Sequence, residues 1–203
     1  MRRFVIIGRT AKSSPDFSLD DLPSTSGRLD VLLRCVRAAL LLSHGVRKDA
    51  SVYLVLEGGG GPPAALRFEG ENAHFLRPDE RSLAVNVKKA LAEPAPSGTF
   101  QEVRRGIAAV SGGLDAVLAD LPACAKYVLE MGGADIRQTG MEEADAAFFM
   151  GDHLGLAPSS RETLTALGAR TLCVGPLVLQ AEDVITLTNN ELDRRHVTPV
   201  AGQ

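Results

Sequence analysis

Two kinds of chemistry can be placed on this chain from residue type and spacing alone. In residues 25–35, TSGRLDVLLRC, the cation Arg28 and the carboxylate Asp30 stand just ahead of an apolar run, and Arg34 follows Asp30 at i,i+4. A guanidinium there can donate to a carbonyl or a phosphate oxygen, and a carboxylate beside it can accept from an N–H group. With a carboxylate's ordinary pKa of about 3.9, Asp30 is better matched to orienting such a group than to removing its proton near neutrality. A purely structural role competes. Thr25 or Ser26 can cap free backbone N–H groups, Asp30 suits the positive end of a helix dipole, and an exposed Asp30–Arg34 pair contributes only about 0.3–0.5 kcal/mol. Arg28 has no partner in that reading.

The second kind lies in the loops LEMGG (129–133), GDHLG (151–155) and GPL (175–177), each at the end of a strand-like run. In open α/β sheets ligands bind beyond the carboxyl ends of strands, where glycine admits close backbone approach and apolar neighbours can flank a flat ring. Ordinary turn chemistry accounts for the same glycines. His153 is a possible base, although a loop histidine is more commonly solvated or structural. No G-x-G-x-x-G follows VIIG, and neither G-K-[ST] nor G-x-S-x-G occurs, so dinucleotide, P-loop and α/β-hydrolase readings lack their devices.

Positioning these residues requires strands and helices that the pattern supplies. RFVIIG (3–8) and SVYLVLEG (51–58) read as apolar, largely β-branched strands ending at glycine. Between them, at about 100° per residue, Leu29, Leu33, Val36 and Leu40 share one helical face and Asp30, Arg34 and Arg37 another, predicting a helix over about 28–43. Strand, helix, strand is a parallel crossover unit. AALRF and AHFLRP predict short strands, RSLAVNVKKAL (81–91) a helix, and 100–121 a helix broken at Ser111-Gly112-Gly113. From 126 onward KYVLEMGG, DAAFFMGDHLGL and ARTLCVGP alternate with helical segments. Ser159 and Glu162 fit a capping box and Gly168 a helix end. The last segment, AEDVITLTNNELDRR, has a helical face through Ala181, Val184, Ile185, Thr188 and Leu192, while VITLT leaves a strand open.

Composition narrows the class. With 203 residues and 45% apolar content the chain can bury a substantial core, and a net charge of −3 argues against indiscriminate nucleic-acid binding. No run of 18 apolar residues occurs and the N-terminus turns polar too soon for a signal peptide, so an intracellular protein without a membrane segment is expected. Cys35, Cys124 and Cys173 read as buried thiols, and no metal-ligand spacing is present. Arg2, Arg3, Arg9, Lys12, Arg34, Arg37, Arg47 and Lys48 are candidates for a local phosphate-binding face.

Taken in order, TSGRLDVLLRCVRAAL, YVLEMGGADI, FFMGDHLGL, VGPLVL and ITLTNNELDRR resemble the tRNA pseudouridine-54 N1-methyltransferases, a branch of the SPOUT class. The likeness runs over nearly the whole chain, and S-G-R-L-D and the terminal N-E-L-D are its most specific parts. It implies an α/β fold, a SPOUT-type parallel sheet flanked by helices with a C-terminal trefoil knot, in a single domain over 1–203. It also implies S-adenosyl-L-methionine as cofactor, RNA (tRNA) as partner, a homodimer and a cytoplasmic location. Carried over residue by residue, the cofactor pocket is Leu129, Gly151 and Gly175 with the loop through Leu177, Leu179 and Asp183, and Arg28 and Asp30 are the catalytic pair at the base pocket. GPLVLQAED departs from the family pattern in lacking basic or small polar residues after its glycine. Methylation of another RNA base, or an RNA-binding role without turnover, are the alternatives.

Overall fold

The computed structural model describes residues 1–73, 76–93, 96–141 and 145–196. Its elements are β1 (Arg2–Lys12), α1 (Leu22–Thr25), α2 (Leu29–Leu40), β2 (Leu41–Leu42), β3 (Gly45–Val46), β4 (Ala50–Gly58), β5 (Ala64–Glu69), α3 (Glu80–Ala92), β6 (Gln101–Arg104) and β7 (Ile107–Ser111). There follow α4 (Leu114–Asp120), β8 (Ala125–Asp135), β9 (Ala146–Gly151), α5 (Pro158–Ala166), β10 (Arg170–Cys173) and α6 (Ala181–His196). Eight strands form one sheet in the order β10-β8-β9-β1-β4-β5-β7-β6, and β2 and β3 make a separate hairpin.

The sheet is parallel from β10 to β4. It becomes antiparallel through β5, β7 and β6, so the expected parallel sheet holds for one half only. The parallel strands are apolar on both faces because both faces are covered. Phe4, Ile6, Val52, Leu54 and Phe148 pack under α2, α3 and α6, while Val5, Ile7, Val55, Val128 and Phe149 pack under α4 and α5.

Helix α2 buries Leu29, Leu32, Leu33, Val36 and Leu40 against the first face, as its spacing predicts. Its start is capped in part by Ser26, whose Oγ accepts from the Leu29 N–H at 3.1 Å. Helix α6 is helical through VITLT despite the β-branched residues. The hydroxyls of Thr186 and Thr188 donate to the carbonyls of Glu182 and Val184, and Ile185, Thr188, Asn189 and Leu192 are buried. Burial along one helical face thus outweighs the local strand preference.

Four sequence expectations change. Residues 100–111 are the hairpin β6–β7 rather than a helix. Val103, Ile107 and Val110 have helical spacing, but Ile107 packs in one core and Val110 in the other, so an odd spacing puts them on opposite faces of a strand. Gly106, at φ 74°, makes the turn. Of AHFLRP, residues 74–75 lie outside the described residues and 76–78 form no strand. The Ser159–Glu162 capping box does not form, because Pro158, with its fixed φ and no N–H, takes the first helical position and leaves Ser159 inside the first turn. Gly168 ends the helix at φ 75° as expected. Of the three thiols Cys35 is buried, whereas Cys124 and Cys173 are partly exposed. Among the described residues no helix is long and apolar enough to cross a membrane.

Candidate functional site

A cavity of about 650 Å3 opens at the carboxyl ends of β8, β9 and β10, bounded by the starts of α2 and α6. A break in strand pairing makes room for it. Val128 pairs with Thr171, but the next partner pair is Ala134 with Leu172, so residues 129–133 bow out of the ladder. Gly133 lets the bulge close, since a Cβ there would stand 2.7 Å from Leu172 backbone. Gly151 has the same kind of role: its Cβ would lie 2.1 Å from the Gly155 carbonyl carbon, so its smallness is required by the turn itself. At Gly175, by contrast, a Cβ would meet nothing within 4 Å, and φ is not in the left-handed region.

Leu129, Gly151, Gly175, Leu177 and Leu179, which the family resemblance places at a cofactor pocket, all border this cavity, together with Met131, Met150, Leu156, Leu172 and Val174. Asp183 does not. It is exposed and faces a second cleft with Arg37, Asn190 and Asp193. Consecutive helical residues point about 100° apart, and it is Glu182 that turns toward α2, accepting from Arg34 Nε at 2.7 Å. Sequence reasoning missed Glu182 because its partner lies 148 positions away.

Arg28 and Asp30 are brought together as a fork. Arg28 Nε and one terminal nitrogen donate to the two oxygens of Asp30 at 3.0 and 3.1 Å. Arg34 adds the expected i,i+4 contact at 3.1 Å and also reaches Glu80 at 3.3 Å. Arg28 is the one non-glycine among the described residues with positive φ, at 66°, an uncommon conformation for a side chain of its size. Burial pushes the Asp30 carboxyl up, but the hydrogen bonds and charges of Arg28 and Arg34 outweigh it and hold the group below the ordinary carboxylate range. Both guanidiniums border the cavity, and Asp30, 2% exposed, stands behind them. The arrangement presents two fixed cations to whatever enters.

Asp152 is a further residue that the sequence did not single out. Its side chain is 1% exposed, and its oxygens accept the Arg9 and Leu154 N–H groups, each at 2.9 Å. The Leu154 bond is an Asx turn, for which a Gly-Asp pair at a strand end is the available signal. His153 follows, bordering the cavity, with Nδ1 3.9 Å from Asp152 Oδ1. Glu130 is forked onto Arg161. At the end of β4, burial raises the Glu57 carboxyl and nearby Asp152 adds to the rise, while Arg9 opposes it.

Most of the expected phosphate-binding cations are engaged elsewhere. Arg2 bonds Asp193 at 2.8 Å and Asp49 at 2.9 Å, Arg47 forks onto Asp193 at 2.8 Å, and Arg3 lies 3.5 Å from Asp145. Lys48 donates to the carbonyls of Gly70 and Glu71 at 3.1 Å. These four sit at the amino-terminal edge of the sheet, away from the cavity. Arg9, Arg34 and Lys12 lie toward the carboxyl edge, and Arg37 is exposed on α2.

A family model described as "Putative SAM-dependent RNA methyltransferase" matches residues 1–197. The tRNA (pseudouridine(54)-N(1))-methyltransferase of Methanosarcina acetivorans is 42% identical over 196 residues, 96% of this chain and 92% of its own length. The protein of the same name from Methanococcoides burtonii is 39% identical over 198 residues, 96% of each chain. Among solved structures, Archaeoglobus fulgidus Nep1 bound to S-adenosylhomocysteine superposes with a TM-score of 0.64 at 15% identity, covering 97% of this chain and 99% of that one.

Proposed function

The chain belongs to the SAM-dependent RNA methyltransferase family, and on that premise we propose that it transfers the methyl group of S-adenosyl-L-methionine to N1 of pseudouridine at position 54 of tRNA. The single observation that carries the reading is the cavity itself, where a glycine-rich, apolar-walled cleft of cofactor size meets a pair of arginines held by Asp30. Its residues fit the cofactor. The open Gly175 backbone and Leu129, Leu172 and Leu177 supply close approach and apolar walls for an adenine, with Gly151 shaping the floor. The cofactor contributes an electrophilic methyl group. The protein contributes alignment: Arg28 and Arg34 hold oxygens of the base or its phosphate, and Asp30 fixes those arginines rather than meeting the substrate itself. Asp183, on the outer side of α6, takes no part in the pocket.

The reading extends to the assembly. Leu177, Val178 and Met131 border the cavity and are 71, 81 and 46% exposed, an apolar rim that a second copy of the chain would cover. A SPOUT-type trefoil knot in the C-terminal part, a homodimer, one functional domain over 1–203 and action in the cytoplasm complete the proposal.

Incubation with labelled S-adenosylmethionine and two matched tRNA hairpins, with pseudouridine or uridine at position 54, tests it. Label appearing as N1-methylpseudouridine in the first hairpin alone is the expected result. Label in another nucleoside moves the assignment to a different base, and absence of cofactor binding favours a non-catalytic RNA-binding protein.

A further inference from the structure

We propose that His153 accepts the proton that leaves the methylated nitrogen, with Asp152 as the positioning residue that holds its turn. The inference rests on the methyl-transfer reading and names the group that reading leaves unassigned. N1 of pseudouridine carries a hydrogen. Methylation there makes one N–C bond and breaks one S–C bond and one N–H bond. The sulfonium becomes a neutral thioether, and the positive charge leaves on the proton, which needs a basic lone pair in reach.

The carboxylates around the cavity are closed to that task. Asp30 already accepts three hydrogen bonds from two guanidiniums, is held ionised below the usual range, and does not border the cavity. Glu182 gives one oxygen to Arg34, and its other oxygen is fully enclosed. Glu130 is forked onto Arg161. Asp152 has both oxygens on backbone N–H groups and almost no exposure. A thiol such as Cys173 must first lose its own proton.

His153 remains. It borders the cavity, its side chain is 36% exposed, and a neutral imidazole offers a lone pair suited to proton transfer near neutrality. The Asp152 carboxylate lies 3.9 Å from Nδ1, on the side away from a proton taken up at Nε2. The charges around it come from four elements: Asp152 at the end of β9; Arg9 at the end of β1, whose guanidinium reaches the Leu154 carbonyl at 3.5 Å; Glu57 at the end of β4; and Arg28 ahead of α2, within electrostatic reach of Asp152.

The test is single-turnover methylation of the pseudouridine hairpin at saturating cofactor, followed from pH 5 to 9, with cofactor affinity measured by calorimetry. Wild-type rate should rise with pH and then level off. His153→Gln should lower the rate about 100-fold, lose that rise and keep cofactor affinity. In His153→Ala, added imidazole should restore part of the rate, which a merely structural role would not allow. An active wild type with a His153→Gln rate near normal, or with a lowered rate, an unchanged pH profile and no imidazole rescue, overturns the assignment alone. A wild type that binds cofactor but leaves the hairpin unmethylated overturns the functional reading first, and this one with it.

Discussion

The two edges of the parallel half-sheet carry the same ingredients and use them oppositely. At the amino edge Arg2 and Arg47 converge on Asp193, with Asn189 Oδ1 accepting from Arg2 at 3.0 Å, and the Arg2 side chain is only 8% exposed. At the carboxyl edge Arg28 and Arg34 converge on Asp30, yet their side chains remain 43 and 25% exposed along the cavity. In the first network the carboxylate bridges two cations whose other contacts, Asp49 and Asn189, are also within the protein, and the product is a locked helix end. In the second the carboxylate is buried behind and the cations face forward, so the same ion-pair chemistry yields a presented charge. What separates a strut from a site is which member of the pair faces outward.

The sharpest way to break that contrast is Arg28→Ala. It should slow single-turnover methylation roughly 10³-fold per folded molecule if its donors meet substrate, beyond the stability lost when buried Asp30 gives up two of its three hydrogen bonds. A rate within tenfold of wild type would reduce Arg28 to a structural partner of Asp30. Next, Gly175→Val should weaken cofactor binding about 100-fold, measured by titration calorimetry, because its side chain enters space where no protein atom stands within 4 Å. Unchanged affinity in that variant removes the cofactor from this cavity. Gly151→Val is the poorer probe, since it clashes with the Gly155 backbone and perturbs the fold.

At the other edge, Asp193→Ala should cost about 2 kcal/mol in chemical denaturation, leaving Asp49 as the carboxylate partner of buried Arg2 and Arg47 without its fork, with rate per folded molecule preserved. A selective loss of rate would erase the distinction between the edges. The smallest effect is the acid response of the presented network. The Asp30 carboxyl is depressed in the folded state, so its contribution is complete above the ordinary carboxylate pKa and is lost as pH falls through its lower folded value. Asp30→Asn should therefore flatten the stability loss below about pH 4 by roughly 1 kcal/mol or less. A denaturation series in which wild type and variant lose stability in parallel there would contradict the fork.

Much of the site's location was legible because it depends on local chemistry. Glycine after an apolar strand, a capped helix start and an Arg-x-Asp pair are short-range signals, and Leu129, Gly151, Gly175 and Arg28 follow from them. What stayed hidden depends on distant partners. That Glu182 rather than Asp183 would turn inward, and that Arg2 and Arg47 would be claimed by Asp193, turn on contacts 148, 191 and 146 positions apart, whereas the Arg34 bond to Asp30 is local and was expected. The β6–β7 hairpin was missed for a related reason. Its identity is set by pairing with β5, and its own residues carry a helical period by coincidence of two cores.

Helix α6 touches both edges, with Glu182 at one end and Asp193 at the other, roughly 16 Å apart along its axis at 1.5 Å per residue. It is also the last described element to leave the ribosome. Until it emerges, Arg34 lacks Glu182 and Arg2 lacks Asp193, partners 148 and 191 positions away in sequence. Before that, Arg34 has Asp30 and Glu80 and Arg2 has Asp49, so each network forms in part, and α6 is what joins the two edges. Such long-range closure predicts slow folding, with the cavity wall that Glu182 and its neighbours supply added last.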